Sequence, residues 1–129
     1  MEISVREQIT TDLKKALKDI ANVELFQIYT FDESYLPTII ITDESDTIES
    51  SSFENIKHEL SIKLLLITEY KNANNLIKQT LEILKNFKSN FVKVELSEIN
   101  KDGLEIANKT YTQTTISLDF LYFTNLWEF

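Results

Sequence analysis

A chain of 129 residues is the usual size of one domain, and an apolar share of 43% is ample for a single core. A formal charge of −8 with Arg6 as the only arginine and the lysines scattered opposes nucleic-acid binding, because counterion release needs several cations set against phosphates. The lack of cysteine excludes disulfides, thiolate nucleophiles and thiolate metal sites.

The first residues, Met1-Glu2-Ile3-Ser4-Val5-Arg6-Glu7, do not form a basic region followed by an apolar stretch. No apolar run approaches the roughly 20 residues that span a bilayer, so a soluble protein is expected. Over residues 3–20 the positions Val5, Ile9, Leu13, Ala16, Leu17 and Ile20 recur at three and four residues and predict an amphipathic helix. Residues 23–31 turn aromatic and branched and predict a strand, followed by a turn at Asp32-Glu33-Ser34. Leu36-Pro37 opens the next strand, and Ile39-Ile40-Ile41 reads as a central one. Residues 43–56 are acidic and serine-rich and read as a loop, in which Ile48, Phe53 and Ile56 fold back on something.

A long strand over residues 58–68 has Leu60, Ile62, Leu64 and Leu66 on one face. A second helix over residues 72–87 carries Ala73, Leu76, Ile77, Leu81, Leu84 and Phe87 at helical spacing, with Asn72 or Asn74 as its cap. Segments 91–99, 104–109 and 111–124 complete the strands, with the sole glycine placing a tight hairpin at Asn100-Lys101-Asp102-Gly103. The last two segments read equally as one strand with a bulge. The expectation is a single α+β domain over 1–129: one layer of helices on a mostly antiparallel β-sheet, in the order helix, strands, helix, strands.

The parts of an active site are scarce. One glycine leaves no phosphate-cradling loop of the dinucleotide or P-loop type. His58 is the only histidine, so a histidine-rich metal site is excluded and any Ser-His-Asp triad would run through it; its default reading is a hydrogen bond at the surface or strand end. Residues 43–54 place oxygen side chains much as a calcium loop does, but Ile48 stands where the turn needs glycine, and a solvated acidic loop is the simpler reading. Asn108-Lys109-Thr110 has the form of a glycosylation acceptor and, without a secretion signal, reads as incidental. Glu95 and Glu98 form a possible carboxylate pair, yet nothing in the sequence raises their pKa or places a substrate. No catalytic residue, metal or cofactor is expected, and the chain does not read as an enzyme.

The closing run is different. Phe120, Leu121, Tyr122, Phe123, Leu126, Trp127 and Phe129 leave the last strand without a polar face, so both of its sides need cover, from this domain or from another chain. With Phe120 and Tyr122 assigned to the core, Leu121, Phe123, Leu126, Trp127 and Phe129 are the candidate subunit contacts.

The helix opening Ile3-Ser4-Val5-Arg6-Glu7-Gln8-Ile9, the strand Leu36-Pro37-Thr38-Ile39-Ile40-Ile41, the acidic segment, the strand entered through His58-Glu59-Leu60-Ser61-Ile62, the second helix and the aromatic closing strand together resemble the tail terminator, or tail completion, proteins of long-tailed bacteriophages. The Leu126-Trp127-Glu128-Phe129 end has no counterpart in that pattern. The resemblance implies a homo-oligomer, a hexameric ring, that stops polymerisation of the tail tube and joins it to the head-tail connector. Its partners would be the tube protein and the connector protein, its place the virion tail after assembly in the host cytoplasm. DNA would pass through without specific binding, and Asp43, Glu44, Asp46 and Glu49 are the candidates for an acidic loop facing the lumen or tube. A second expectation is a small acidic inhibitor or adaptor that mimics DNA and binds a basic partner, which would need carboxylates arrayed across the strands.

Overall fold

The computed structural model describes residues 4–25, 33–50, 52 and 54–128. Ile3, residues 26–32 of the first predicted strand and turn, Phe53 and Phe129 lie outside the described residues. The chain is α+β. Helix α1 (Val5–Leu17) leads to strand β1 (Asn22–Leu25), then β2 (Thr38–Ser50), β3 (Asn55–Thr68), helix α2 (Tyr70–Lys85), β4 (Lys93–Ile106) and β5 (Lys109–Asn125). The sheet order is β1-β2-β3-β5-β4; β1 runs parallel to β2 and the other three pairings are antiparallel.

Helix α1 begins where Ser4, in extended conformation, accepts a hydrogen bond on its Oγ from the Glu7 backbone at 3.0 Å. Its stripe of Ile9, Leu13 and Leu17 is fully buried. Helix α2 starts two residues before the sequence-based reading, after Glu69, and has no side-chain cap; neither Asn72 nor Asn74 serves. Its Leu76 joins α1 and alternate strand residues, Ile39, Ile41, Leu60, Ile62, Leu64, Leu66, Ile116, Leu118, Phe120 and Tyr122, in one apolar cluster. Asp12 ties α1 to the segment after α2 through hydrogen bonds from Gln8 and Ser89. Burial opposes its ionisation, but those bonds and the charge of Lys15 outweigh it and hold the carboxyl below its ordinary value.

Two expectations are overturned. The acidic segment is no loop: residues 43–50 continue β2, paired with β3 as far as Ser50 opposite Ile56. Cross-strand partners on β3, absent from any local reading, override a composition that favours turns. The hairpin is also misplaced. Gly103 lies inside β4 opposite Thr112, and the reversal is the two-residue turn Ala107-Asn108, with φ of 49° and 66°, between Ile106 and Lys109. Two successive positive φ values are what a tight hairpin of matching twist needs, and asparagine tolerates that region where few other residues do.

The register places the other set of β5 side chains, Ser117, Asp119, Leu121 and Phe123, opposite Lys63, Ser61, Glu59 and Lys57 on the face away from the core cluster. Near the start of β5 this region adjoins the 3-10 turn Glu33–Tyr35, where Glu33 pairs with Lys109 at 3.2 Å. At the far end Phe123 is 47% exposed.

Candidate functional site

The strongest concentration of polar chemistry lies where α1, β2, β3 and β5 meet beneath the closing tip. Strand alternation should send Asp43 and Asp46 to opposite faces, since their separation is odd. A bulge between them sets two residues of β2 against Ser61 alone, so that Asp43 opposes Ile62 and Asp46 opposes Leu60 on the helix-bearing face. Both carboxylates then meet Arg6 of α1, whose Nη1 is 3.4 Å from Asp43 and whose Nη2 donates to Asp46 Oδ2 at 3.2 Å.

Asp46 Oδ2 is shared further. It lies 2.8 Å from His58 Nδ1 and accepts from the Tyr122 hydroxyl at 3.4 Å. On the other side His58 Nε2 is 2.7 Å from Thr124 Oγ1, and the Thr124 hydroxyl donates to the Glu128 backbone carbonyl at 3.1 Å. Both imidazole nitrogens therefore have a polar partner, as a fully buried ring requires. The ring stacks on Tyr122 with centroids 4.6 Å apart and planes 6° from parallel. Burial, then the Asp46 carboxylate, pushes the Tyr122 phenol up to about 12.

The folded chain holds the phenolic proton more tightly than the unfolded chain, in which tyrosine titrates near 10. Its contribution to stability is complete below about pH 10 and is lost as pH rises to about 12. After allowance for solvent screening beside the groove described below, the amount is on the order of 1–2 kcal/mol. Urea midpoints compared near pH 9 and near pH 11 should fall less for Tyr122→Phe than for the native chain.

Asp46, His58 and Thr124 have the connectivity of a hydrolytic triad but not its access. His58 is 0% exposed, and the Thr124 hydroxyl is engaged by the tip rather than opening into a cleft. The chain Asp46, His58, Thr124, Glu128 instead acts as a strut that fastens the tip to the sheet. Donation from the Leu126 backbone to the Glu54 carbonyl at 3.1 Å, and from Glu128 to Asn125 at 3.3 Å, completes the attachment. The tip roofs a groove of about 580 Å³ lined by Ile48, Ile56, Leu126 and Trp127 with Arg6, Asp46 and Glu128 at its polar edge.

The sequence-based candidates are thus redistributed. Asp43 and Asp46 turn inward and are neutralised, which removes them from any lumen-facing role. Glu44 pairs with Lys63 at 3.1 Å, and Glu49 is exposed opposite Lys57. Leu121 and Phe123 stand on the face away from the core cluster while Phe120 and Tyr122 are buried; Leu126 and Trp127 form the exposed tip. Phe129 lies outside the described residues. His58 hydrogen-bonds near the start of β3, as its strand-end reading has it, but it is buried rather than at the surface, and parity should have shown this, since it shares the face of Leu60 and Ile62. Thr124 and Arg6 carried no signal, because their roles depend on pairings 40 to 66 residues away.

Among the described residues no group of three or more histidine, aspartate or glutamate side chains is placed to hold a metal ion. No described helix is long and apolar enough to cross a membrane. No protein-family model matches the chain, and no curated protein is similar enough to count as a match.

Proposed function

We propose that this chain is a structural subunit that assembles into a ring at the end of a phage tail tube, terminates tube growth and joins tail to head connector. The observation that carries the reading is the division of β5: Phe120 and Tyr122 are buried, whereas Phe123 on the opposite face stays 47% exposed with Leu126 and Trp127 beside the strand end. Half-buried Leu121 and exposed Phe123, beyond the polar Ser117 and Asp119 of the same face, form with the tip an apolar end of the strand that can serve as an assembly surface. In this reading the two helices form one layer on the covered face, and a neighbouring copy covers the other by a heterologous contact repeated around the ring axis. The α+β class with two helices is the coarse feature this reading shares with the resemblance to tail terminators, whose acidic loop is strand here. The protein's partners are then itself, as a hexamer, the tube protein and the connector protein, in the virion tail after assembly in the host cytoplasm.

An acidic mimic of DNA is less well supported, because part of the carboxylate set it would display is paired within the chain. Asp43 and Asp46 pair with Arg6, Glu44 with Lys63, Glu95 with Lys93 and Glu33 with Lys109. The deciding test is a double variant, Leu121→Asp with Phe123→Asp, followed by circular dichroism, light scattering and negative-stain microscopy with tail tubes. It should fold normally but fail to form rings or cap tubes. Rings and capped tubes indistinguishable from the native protein's, or a native protein that closes as a dimer over this face, would overturn the proposal.

A further inference from the structure

The tip presents Trp127 in an unusual way. Its backbone is left-handed, with φ of 65°, and its side chain is 98% exposed, although the flanking Leu126 and Glu128 backbones and Thr124 fix the tip to the sheet. A left-handed conformation in a bulky residue persists only where its surroundings enforce it. An exposed indole on a fixed backbone is a partly preorganised anchor, because no main-chain freedom is lost when a partner closes on it.

The same chain carries a receptacle elsewhere. Between the end of α2 and the outer strand β4 lies an apolar groove of about 340 Å³, walled by Leu81, Leu84, Phe87 and Leu96, floored by Phe120 and edged by Lys85. Phe120 packs edge-on against Phe91 and Phe87, with centroids 5.0 and 6.4 Å apart, so an indole entering the groove would extend an existing aromatic cluster. Lys85 supplies a positive charge where Glu128, next to Trp127, would arrive. That match matters for self-association of a chain of net charge −8, whose copies otherwise repel. The other apolar groove is unsuitable as a receptacle, since it is built from Trp127 and Glu128 themselves.

We propose that Trp127 of one copy seats in the α2/β4 groove of a second copy, with Glu128 against Lys85. Knob and groove are different patches, so the contact is heterologous and propagates from copy to copy. It deepens the ring reading by naming a subunit contact, but the contact itself does not require that the ring be a tail terminator.

Trp127 is the only tryptophan, so the tryptophan emission reports burial of this one side chain. As concentration rises and light scattering shows association, the emission maximum should move to shorter wavelength, and Leu96→Asp, a change at a half-exposed position, should abolish both effects. Because the chain has no cysteine, Glu128→Cys combined with Lys85→Cys provides a second test without background. The Thr124 hydroxyl holds Glu128 at the Thr124 level, four strand residues, about 14 Å, from Phe120 at the groove, too far for a bridge within one copy. Oxidation should give a ladder of oligomers from the double variant and none from either single variant. Association with unchanged emission, covalent dimers of Glu128→Cys alone, or absence of any ladder, whether or not the native chain associates, would each overturn the contact. A ladder without rings in the microscope would keep the contact and end the ring reading; rings without a ladder would do the reverse.

Discussion

Replacing Asp46 with alanine should destabilise the fold by about 3–5 kcal/mol, the usual consequence of removing one partner from a buried ion pair. The Asp46 side chain is only 7% exposed, and its Oδ2 is the common acceptor for Arg6, His58 and Tyr122. Without it a fully buried histidine loses its partner at Nδ1, and the Arg6 guanidinium loses the shorter of its two carboxylate contacts. Desolvated donors left without acceptors account for most of the loss, because those groups return to water only on unfolding. Asp46→Asn keeps the shape and one acceptor and should lose less. Asp43→Ala, at a more open position with a single 3.4 Å contact, should cost no more than about 1 kcal/mol. Urea denaturation of the three variants checks the order, and reversal of the first and third would show that the bonds at Asp46 do not hold the sheet end together.

Phe120→Ala should cost about 3–5 kcal/mol, whereas Phe123→Ala, three residues along the same strand, should change monomer stability by no more than about 0.5 kcal/mol. Phe120 is fully buried between Phe87 and Phe91, opposite Leu60 and Val94, so its removal leaves a cavity walled by side chains from β3, β4 and the connection between α2 and β4. Phe123 faces the opposite way and is half in water. The contrast is measurable by thermal denaturation at low concentration, where any assembly is dissolved. If both variants lost several kcal/mol there, the outer face would be contributing to the fold of one copy and would no longer be free for another.

Periodicity carried most of the fold. The stripe of Ile9, Leu13 and Leu17, the alternation from Leu60 to Leu66 and the run Ile39 to Ile41 each emerged where their spacing put them, because burial of those faces decides the elements. What was hidden depends on partners far away in sequence. Residues 43–50 look like a loop by composition and are strand because β3 pairs with them. Gly103 drew the hairpin to itself, though an interior strand glycine can also sit in open space, and nothing lies within 4 Å of where its Cβ would be. The polar cluster was the least visible part: Arg6, Asp46, His58 and Thr124 come from four elements, and Arg6 and His58 stood out only as the sole residues of their kind, Asp46 only as part of the acidic segment. Division of the closing strand was readable because alternate apolar residues on both sides are a local pattern, while the strut that fixes its tip was not.

The bulge between Asp43 and Asp46 makes chain length itself part of this polar site. The extra residue is what returns Asp46, an odd number of positions from Asp43, to the helix-bearing face; were β2 to pair with β3 without the bulge at its present length, Asp46 would turn to the outer face and Arg6 and His58 would lose their shared acceptor although every charged residue is retained. Among relatives of this chain, the two carboxylates should therefore be three positions apart where the bulge is kept and two apart where it is lost, whichever residues lie between them.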